Sequence, residues 1–519
     1  MPIVPQHRKP QDPADDRHEL EEDSPLASVT ATQVSAHNFL LRRNAAAITE
    51  NEVDMVFSPL QRENSWLVLG GIATVLIAVA AVVLAILKPV GRVDQAQIVA
   101  DGDNHALYVL VDGKLRPAWN LVSAQLIAGQ PLPPTTVKHS VIASYPTGSR
   151  VGIVDAPQSF NVKAGGASRW ALCDTAPAAS SDPSPTVTAL AGRLTLGDRA
   201  NELAADSAVL AEHAGSTYVV WGGRRSRVDL SNRPLALALG IDSTAVAPVR
   251  MSKALFDAIP ATEPLTTPQI AQAGEPSRWS LPAGAVIGSV LQVAGLSGGA
   301  DALYVVLADG VQQVEPFVAS LLMSSSSGGQ IDPIPVAPKD IAAIPGVSSL
   351  RVDYYPPRRL TLVDTRAYPV LCVGWSKGAT DREAVTAVIS GKGLPIPVSA
   401  DASVMPLVRN DRRPNSVEAH QVWMDPDAPN LAVVTGVGKS STSRESLWWL
   451  SPQGVRYGIS QDQDTMRALG LEGPAAQAVQ VPWPLLRVYA TGAELSRAAA
   501  LVAADSVTAP PVLDALTPR

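Results

Sequence analysis

The hydrophobic pattern of this chain begins with none. Residues 1–30 are rich in Asp, Glu and Pro and lack any apolar period, so they cannot bury enough surface to offset ordering and are expected to be a disordered tail. From Thr32 the stretch "TQVSAHNFLLRRNAAAI" sets Val34, Phe39, Leu40 and Ile48 near helical spacing beside Arg42 and Arg43. This predicts a juxtamembrane helix within 31–65, and its few basic residues favour a protein partner over lipid headgroups. Trp66 to Leu87 then runs 22 residues without a charge or a proline. At helical rise it reaches about 33 Å, enough to cross a hydrocarbon core. With 65 residues ahead of it and no A-x-A site behind it, it reads as a permanent transmembrane helix over 66–87 and not as a cleaved signal peptide.

Beyond the anchor a short motif recurs. "ALYVLVDGKLRPAWNLVSAQLI" from Ala106, "TYVVWGGRRSRVDLSNRPLALAL" from Thr217, "ALYVVLADGVQQVEPFVASLLM" from Ala302 and "LWWLSPQGVRYGISQDQDTMRAL" from Leu447 share one order. An aromatic and β-branched run is followed by a Gly-containing turn, a second short strand, and an apolar stretch of helical character. A second helix-like stretch follows in each copy. It ends at Pro146, Pro260 and Pro345 in the first three, and "VPWPLLRVYATG" stands there in the fourth. The predicted architecture is α+β: one transmembrane helix, then an elongated part with a β-rich central core and four ββα-type repeats. The repeats are placed at 92–149, 216–268, 301–348 and 446–505. The core is placed at 150–215, 269–300 and 349–445, and a Pro-rich tail at 506–519. Repeat pairs are expected on either side of the core.

Net charge is -7 and no basic stripe with interleaved aromatics is present, which argues against nucleic-acid binding. Charges flanking the anchor leave its orientation open: Arg62 precedes it, Lys88 and Arg92 follow it. The two cysteines, Cys173 and Cys372, both follow the anchor, each in an apolar run with a Trp three residues away. They are either a pair or two separate buried thiols. As a pair they would close a loop worth about 5 kcal/mol in chain entropy. They would also place the large C-terminal part in an oxidising compartment.

Candidate chemistry is sparse. "VVTGVGKSS" ends like a phosphate-binding loop, with Gly438, Lys439 and Ser440 as candidate nucleotide ligands. Val433 stands where the first glycine is required, and the downstream stretch "SSTSRESLWWL" has no helical apolar face. "GLSGG" at Gly295 spells a nucleophile elbow but leads into a strand, where that motif needs a helix. The seven histidines include no i, i+4 pair and Cys-x-x-Cys is absent, so no metal ligands are assigned. No catalytic residues are assigned either.

"TQVSAHNFLLRR", "ILKPVG" after the anchor, and "ALYVLVDGKLRPAWNLVSAQLI" together resemble the EccB family, the single-span component of the actinobacterial type VII (ESX) secretion machinery. The likeness covers nearly the whole chain from about residue 30. Ala36 and "EVDM" ending at Met55 depart from the family's usual Gly and Asp-x-Arg-Met, which leaves the paralogous system open. The resemblance implies a cytoplasmic N-terminus, a periplasmic part with four repeats around a core, and a core disulfide between Cys173 and Cys372. It also implies self-association, assembly with EccC-, EccD- and EccE-like proteins, and a docked mycosin protease. The family has been described as an ATPase. The leading expectation is therefore a structural and assembly protein of a secretion complex in the cytoplasmic membrane, without a cofactor. The alternative is an ATP-hydrolysing component of the same system, with ATP held at Gly438–Ser440. A third class, an envelope ligand-binding protein, has no supporting motif.

Overall fold

A computed structural model describes residues 30–50, 60–86, 93, 96–177, 184–241, 247–282, 284–295, 299–325, 330–407 and 417–503. The tail expected at 506–519, all but Thr30 of the tail at 1–30, and the "EVDM" element lie outside these residues. The chain divides into two compact units, Met1–Pro89 and Val90–Arg519.

In the first unit, the juxtamembrane stretch forms a helix over Ala31–Glu50. The apolar helix is longer than predicted, running Leu60–Ile86. Helix-forming residues at its polar start carry the helical hydrogen bonding on from the apolar stretch, so the helix begins before hydropathy rises. The window that qualifies as a membrane span is Ser65–Val83, with mean hydropathy 2.6 and none of it buried. A helix suits hydrocarbon because every backbone polar group is satisfied within the segment.

Among the described residues the second unit contains four sheets of one topology and one larger sheet. In repeat 1 the strands Ile98–Asp101, Leu107–Val111 and Lys114–Pro117 form a meander. The helix Leu121–Ala128 follows, then the strand Thr135–Val137 and a short helix His139–Ile142. The fourth strand returns parallel to the first, giving the spatial order 3-2-1-4. The same order holds in the sheets that begin at Ser207, Val290 and Leu431. Each of these three repeats therefore starts one strand earlier than 216, 301 and 446. Ser207–His213, Val290–Val293 and Leu431–Thr435 belong to the repeats and not to the core. Short, buried apolar strands carry no signature of which sheet they join.

Local chemistry explains the helices. Asn120, Asn232 and Asp462 each accept a backbone N–H three residues on, from Ser123, Leu235 and Thr465. Such caps satisfy donors that the first turn leaves open. Gly129 and Gly240 end the first two of these helices at positive φ, where other side chains are strained. The recurring proline also has a role: the carbonyls of Pro146, Pro260 and Pro345 accept the N–H groups of Leu115, Arg225 and Val311 at 2.8–2.9 Å. Each unit is thereby closed against its own third strand.

The central sheet has seven strands, with Ser168–Thr175 and Val370–Lys377 antiparallel near its middle. Among the described residues the segment 269–300 gives it no strand. Trp279, Leu281 and Ala285 pack instead on the core of repeat 3, and Thr361–Leu362 joins the sheet of repeat 2. These too are corrections to the expected core. One face of the central sheet, with Trp170, Leu172, Val373 and Trp375, packs on Ala254 and Leu255 of repeat 2 and on Leu485 and Leu486 of repeat 4. The opposite face carries both cysteines among Leu190, Ile389, Ile396 and Trp423.

The repeats also pair with each other. The helix Leu121–Ala128 of repeat 1 packs on Gln463–Ala468 of repeat 4 and on Arg497–Ala500. Arg233–Leu239 of repeat 2 packs on Pro316–Ser325 of repeat 3.

Candidate functional site

The loop holding Gly438, Lys439 and Ser440 is the connection of an antiparallel hairpin. Leu431–Thr435 precedes it and Leu447–Leu450 follows, and the two strands pair. Val433 is inside the first strand, 4% exposed and opposite Leu447. No helix N-terminus follows the loop, so the geometry that aims backbone N–H groups at a phosphate is not built there. The loop's hydrogen-bonding groups serve the loop itself. The Gly436 N–H donates to Ser441 Oγ at 3.1 Å and to Ser443 Oγ at 3.0 Å. Ser441 N–H donates to the Gly438 carbonyl at 3.0 Å, and the Lys439 carbonyl accepts from Ala384 N–H at 2.8 Å. Lys439 itself is exposed.

Beside this loop lies a polar cleft of about 470 Å³ lined in part by Lys377, Asp381 and Arg444. Its cations are already engaged. Arg444 donates to the carbonyls of Ala475, Ala476 and Ala478, and Lys377 lies 3.4 Å from the Ser441 carbonyl.

Cys173 and Cys372 stand directly opposite each other in the central sheet and form a disulfide. Both are fully buried, and the bond spans 199 positions. Of the two readings open from sequence, the pair is the one the structure contains.

The strand that carries Cys173 also holds two repeats by polar bonds. At its start Ser168 Oγ and Trp170 Nε1 donate to the Gln480 carbonyl of repeat 4. At its end Asp174 accepts the backbone N–H and the Oγ–H of Ser252 in repeat 2, each at 2.7 Å. Burial raises the Asp174 carboxyl to about 7, opposed by those two Ser252 bonds. Asp257 of repeat 2 also meets Arg487 of repeat 4. Sequence reading missed these joints. The one available signal was Asp174 inside the apolar run "ALCDT".

The second helices show how the repeats divide their work. Taking Met251, Val481, Val137 and Val336, at or next to the end of the fourth strand, as equivalent positions, repeats 2 and 4 present Ala254–Leu255 and Leu485 to the central sheet. Repeats 1 and 3 carry Ser140–Val141 and Lys339–Asp340 there, and Val141 is 36% exposed. Two modules spend this face internally and two turn it outward. Trp483, 39% exposed, with the Arg456 guanidinium over its ring and Trp448 tilted beside it, adds an outward aromatic on repeat 4.

Among the described residues this geometry defines a class: a repeat scaffold that follows one long apolar helix in sequence, with no assembled reaction centre. The chain belongs to the family described as type VII secretion system ESX-1, transport TM domain B, which matches residues 26–509. It is 47% identical over 486 residues to the ESX-2 secretion system ATPase EccB2 of Mycobacterium tuberculosis, covering 93% of this chain and 96% of that one. It is similar to a chain of the periplasmic assembly from the ESX-5 inner membrane complex, with TM-score 0.71 and 37% identity over 82% of this chain and 100% of that one. It is also similar to the EccB3 dimer from the ESX-3 core complex, with TM-score 0.67 and 33% identity over 78% and 100% of the two chains.

Proposed function

We propose that this chain is a membrane-anchored structural and assembly component of a type VII (ESX) protein secretion complex. Its four repeats act as docking and oligomerisation surfaces. The observation that carries this reading is the division of labour among the repeats: repeats 2 and 4 bury the face of their second helix on the central sheet, while repeats 1 and 3 present theirs outward. The likeness to chains of an ESX-5 inner membrane assembly and of an EccB3 dimer supports the setting. The disulfide supports a periplasmic location for residues beyond the anchor, because such a bond persists in an oxidising compartment. The N-terminus then lies in the cytoplasm. EccC-, EccD- and EccE-like proteins, and a mycosin protease on the periplasmic side, are the partners this reading calls for.

The test is a gentle-detergent pull-down of tagged full-length protein from its native membrane, with mass spectrometry of the proteins that stay bound. Recovery of those membrane components in one large complex supports the scaffold. Recovery of the protein alone overturns it.

A second reading, ATP hydrolysis at Gly438–Ser440, is favoured by the name of the ESX-2 relative. It would require the hairpin loop to open and release Gly436 from Ser441 and Ser443.

A further inference from the structure

The hydrophobic cluster on the disulfide face of the central sheet draws no residue from any repeat. On that face, along the strand from Cys372, lies a cleft of about 260 Å³. Small residues make its floor: Gly374 and, opposite it in register, Ala387. A Cβ added at Gly374 would stand 3.4–3.5 Å from the side chains of Ile389 and Leu194, so a small apolar group placed over this glycine meets both walls at ordinary contact distance. Leu196 and Val385 continue the apolar lining outward, and they are 43% and 58% exposed. Aliphatic side chains this open, beside a concavity, leave apolar surface for another chain to cover.

The rim supplies the selectivity. Arg169 and Arg193 both line the cleft. Neither guanidinium forms an ion pair or a hydrogen bond among the described residues, although the chain as a whole carries a net charge of -7. Guanidinium groups match carboxylates with two parallel bonds, and an unpaired Arg beside apolar surface is a common interface anchor. Glu202 on the same rim is also unpaired among the described residues, so an all-acidic occupant would be repelled there.

We propose that this cleft docks a partner polypeptide segment that presents an aliphatic side chain next to a single carboxylate. The aliphatic group fills the space above Gly374 and Ala387, and the carboxylate is held by Arg169 and Arg193. This rests on the scaffold reading, since such a cleft needs a partner within the assembly.

The test uses full-length protein in detergent and a dye-labelled extended peptide with a central Glu-Leu, read by fluorescence anisotropy. A Lys-Leu peptide serves as the control. Saturable binding of the Glu-Leu peptide is expected, weakened about tenfold or more by Arg169→Glu with Arg193→Glu and by Leu196→Asp alone. Absence of saturable binding up to about 1 mM, or equal affinity in the charge-reversed protein, overturns the proposal. The same variants are taken through the native-membrane pull-down. A full complex with no peptide binding sinks the cleft alone, whereas loss of the whole complex from the unaltered protein sinks the scaffold reading.

Discussion

Asp174 in the central sheet takes both the backbone N–H and the Oγ–H of Ser252, and Ser252 Oγ in turn caps the helix Lys253–Ala258 through Leu255 N–H. A buried carboxyl thus fixes where repeat 2 meets the core. When protonated it still accepts the Ser252 N–H through one oxygen and can give its own proton to Ser252 Oγ, which is how a neutral acid remains satisfied there.

The joint has a pH signature. The carboxyl is raised from 3.8 to about 7 on folding. The folded state therefore holds more protons than the unfolded state between those values, and stability falls as pH rises. Its contribution is full below about 3.8 and is lost progressively as pH climbs through about 7, a change on the order of a few kcal/mol. Asp174→Asn should flatten the dependence of unfolding free energy on pH across that window. An unchanged slope in the variant would remove Asp174 as its source.

The second helices that pack on the central sheet should be more sensitive to truncation than the two that face outward. Leu255 is fully buried against the central sheet, so Leu255→Ala should cost about 2–5 kcal/mol. Val141, its counterpart in repeat 1, is 36% exposed, and Val141→Ala should stay within about 0.5 kcal/mol. Urea unfolding followed by tryptophan fluorescence separates the two. Equal costs would contradict the division between inward and outward faces.

Replacing both cysteines, Cys173→Ala with Cys372→Ala, should lower stability by about 2–5 kcal/mol, because the closed loop spans 199 positions. The double substitution avoids leaving a single reactive thiol. A urea midpoint that did not move would show that the sheet needs no cross-link.

At the hairpin loop, Lys439→Ala should leave any ATP turnover of the full-length protein unchanged, since the loop joins two paired strands and has no helix N-terminus behind it to hold a phosphate. Ser441→Ala should cost about 1 kcal/mol, because Ser441 Oγ accepts the Gly436 N–H and lies 3.1 Å from Thr435 Oγ1. Turnover abolished by Lys439→Ala would revive the nucleotide reading.

Much of this architecture is written in local pattern. The anchor stands out because 22 uncharged residues have few other uses, and the second and third strands of each repeat stand out through their aromatic run and Gly turn. The first strands are not legible in the same way. "SAVLAEH" and "LAVVT" are buried runs whose sheet partner is decided by pairing at a distance, and nothing in seven or five residues encodes it. The same holds for Asp174: the sequence offers an acid in an apolar strand, but only the fold supplies Ser252. Cys173 and Cys372 are readable as candidates, and their register across the sheet is not.

The pairing of repeat 1 with repeat 4 nests the polypeptide like brackets, with repeats 2 and 3 as the inner pair. The helix Leu121–Ala128 packs on Gln463–Ala468 and on Arg497–Ala500, more than three hundred residues later. During synthesis repeat 1 is therefore the first of the four repeats to be made and the last to gain its partner. Long-range closure of this kind is slow. Until it occurs, the apolar cluster that joins Val122 and Leu126 to Leu469 and Leu471 is incomplete, and a chain cut short before residue 431 lacks the repeat 4 half of it.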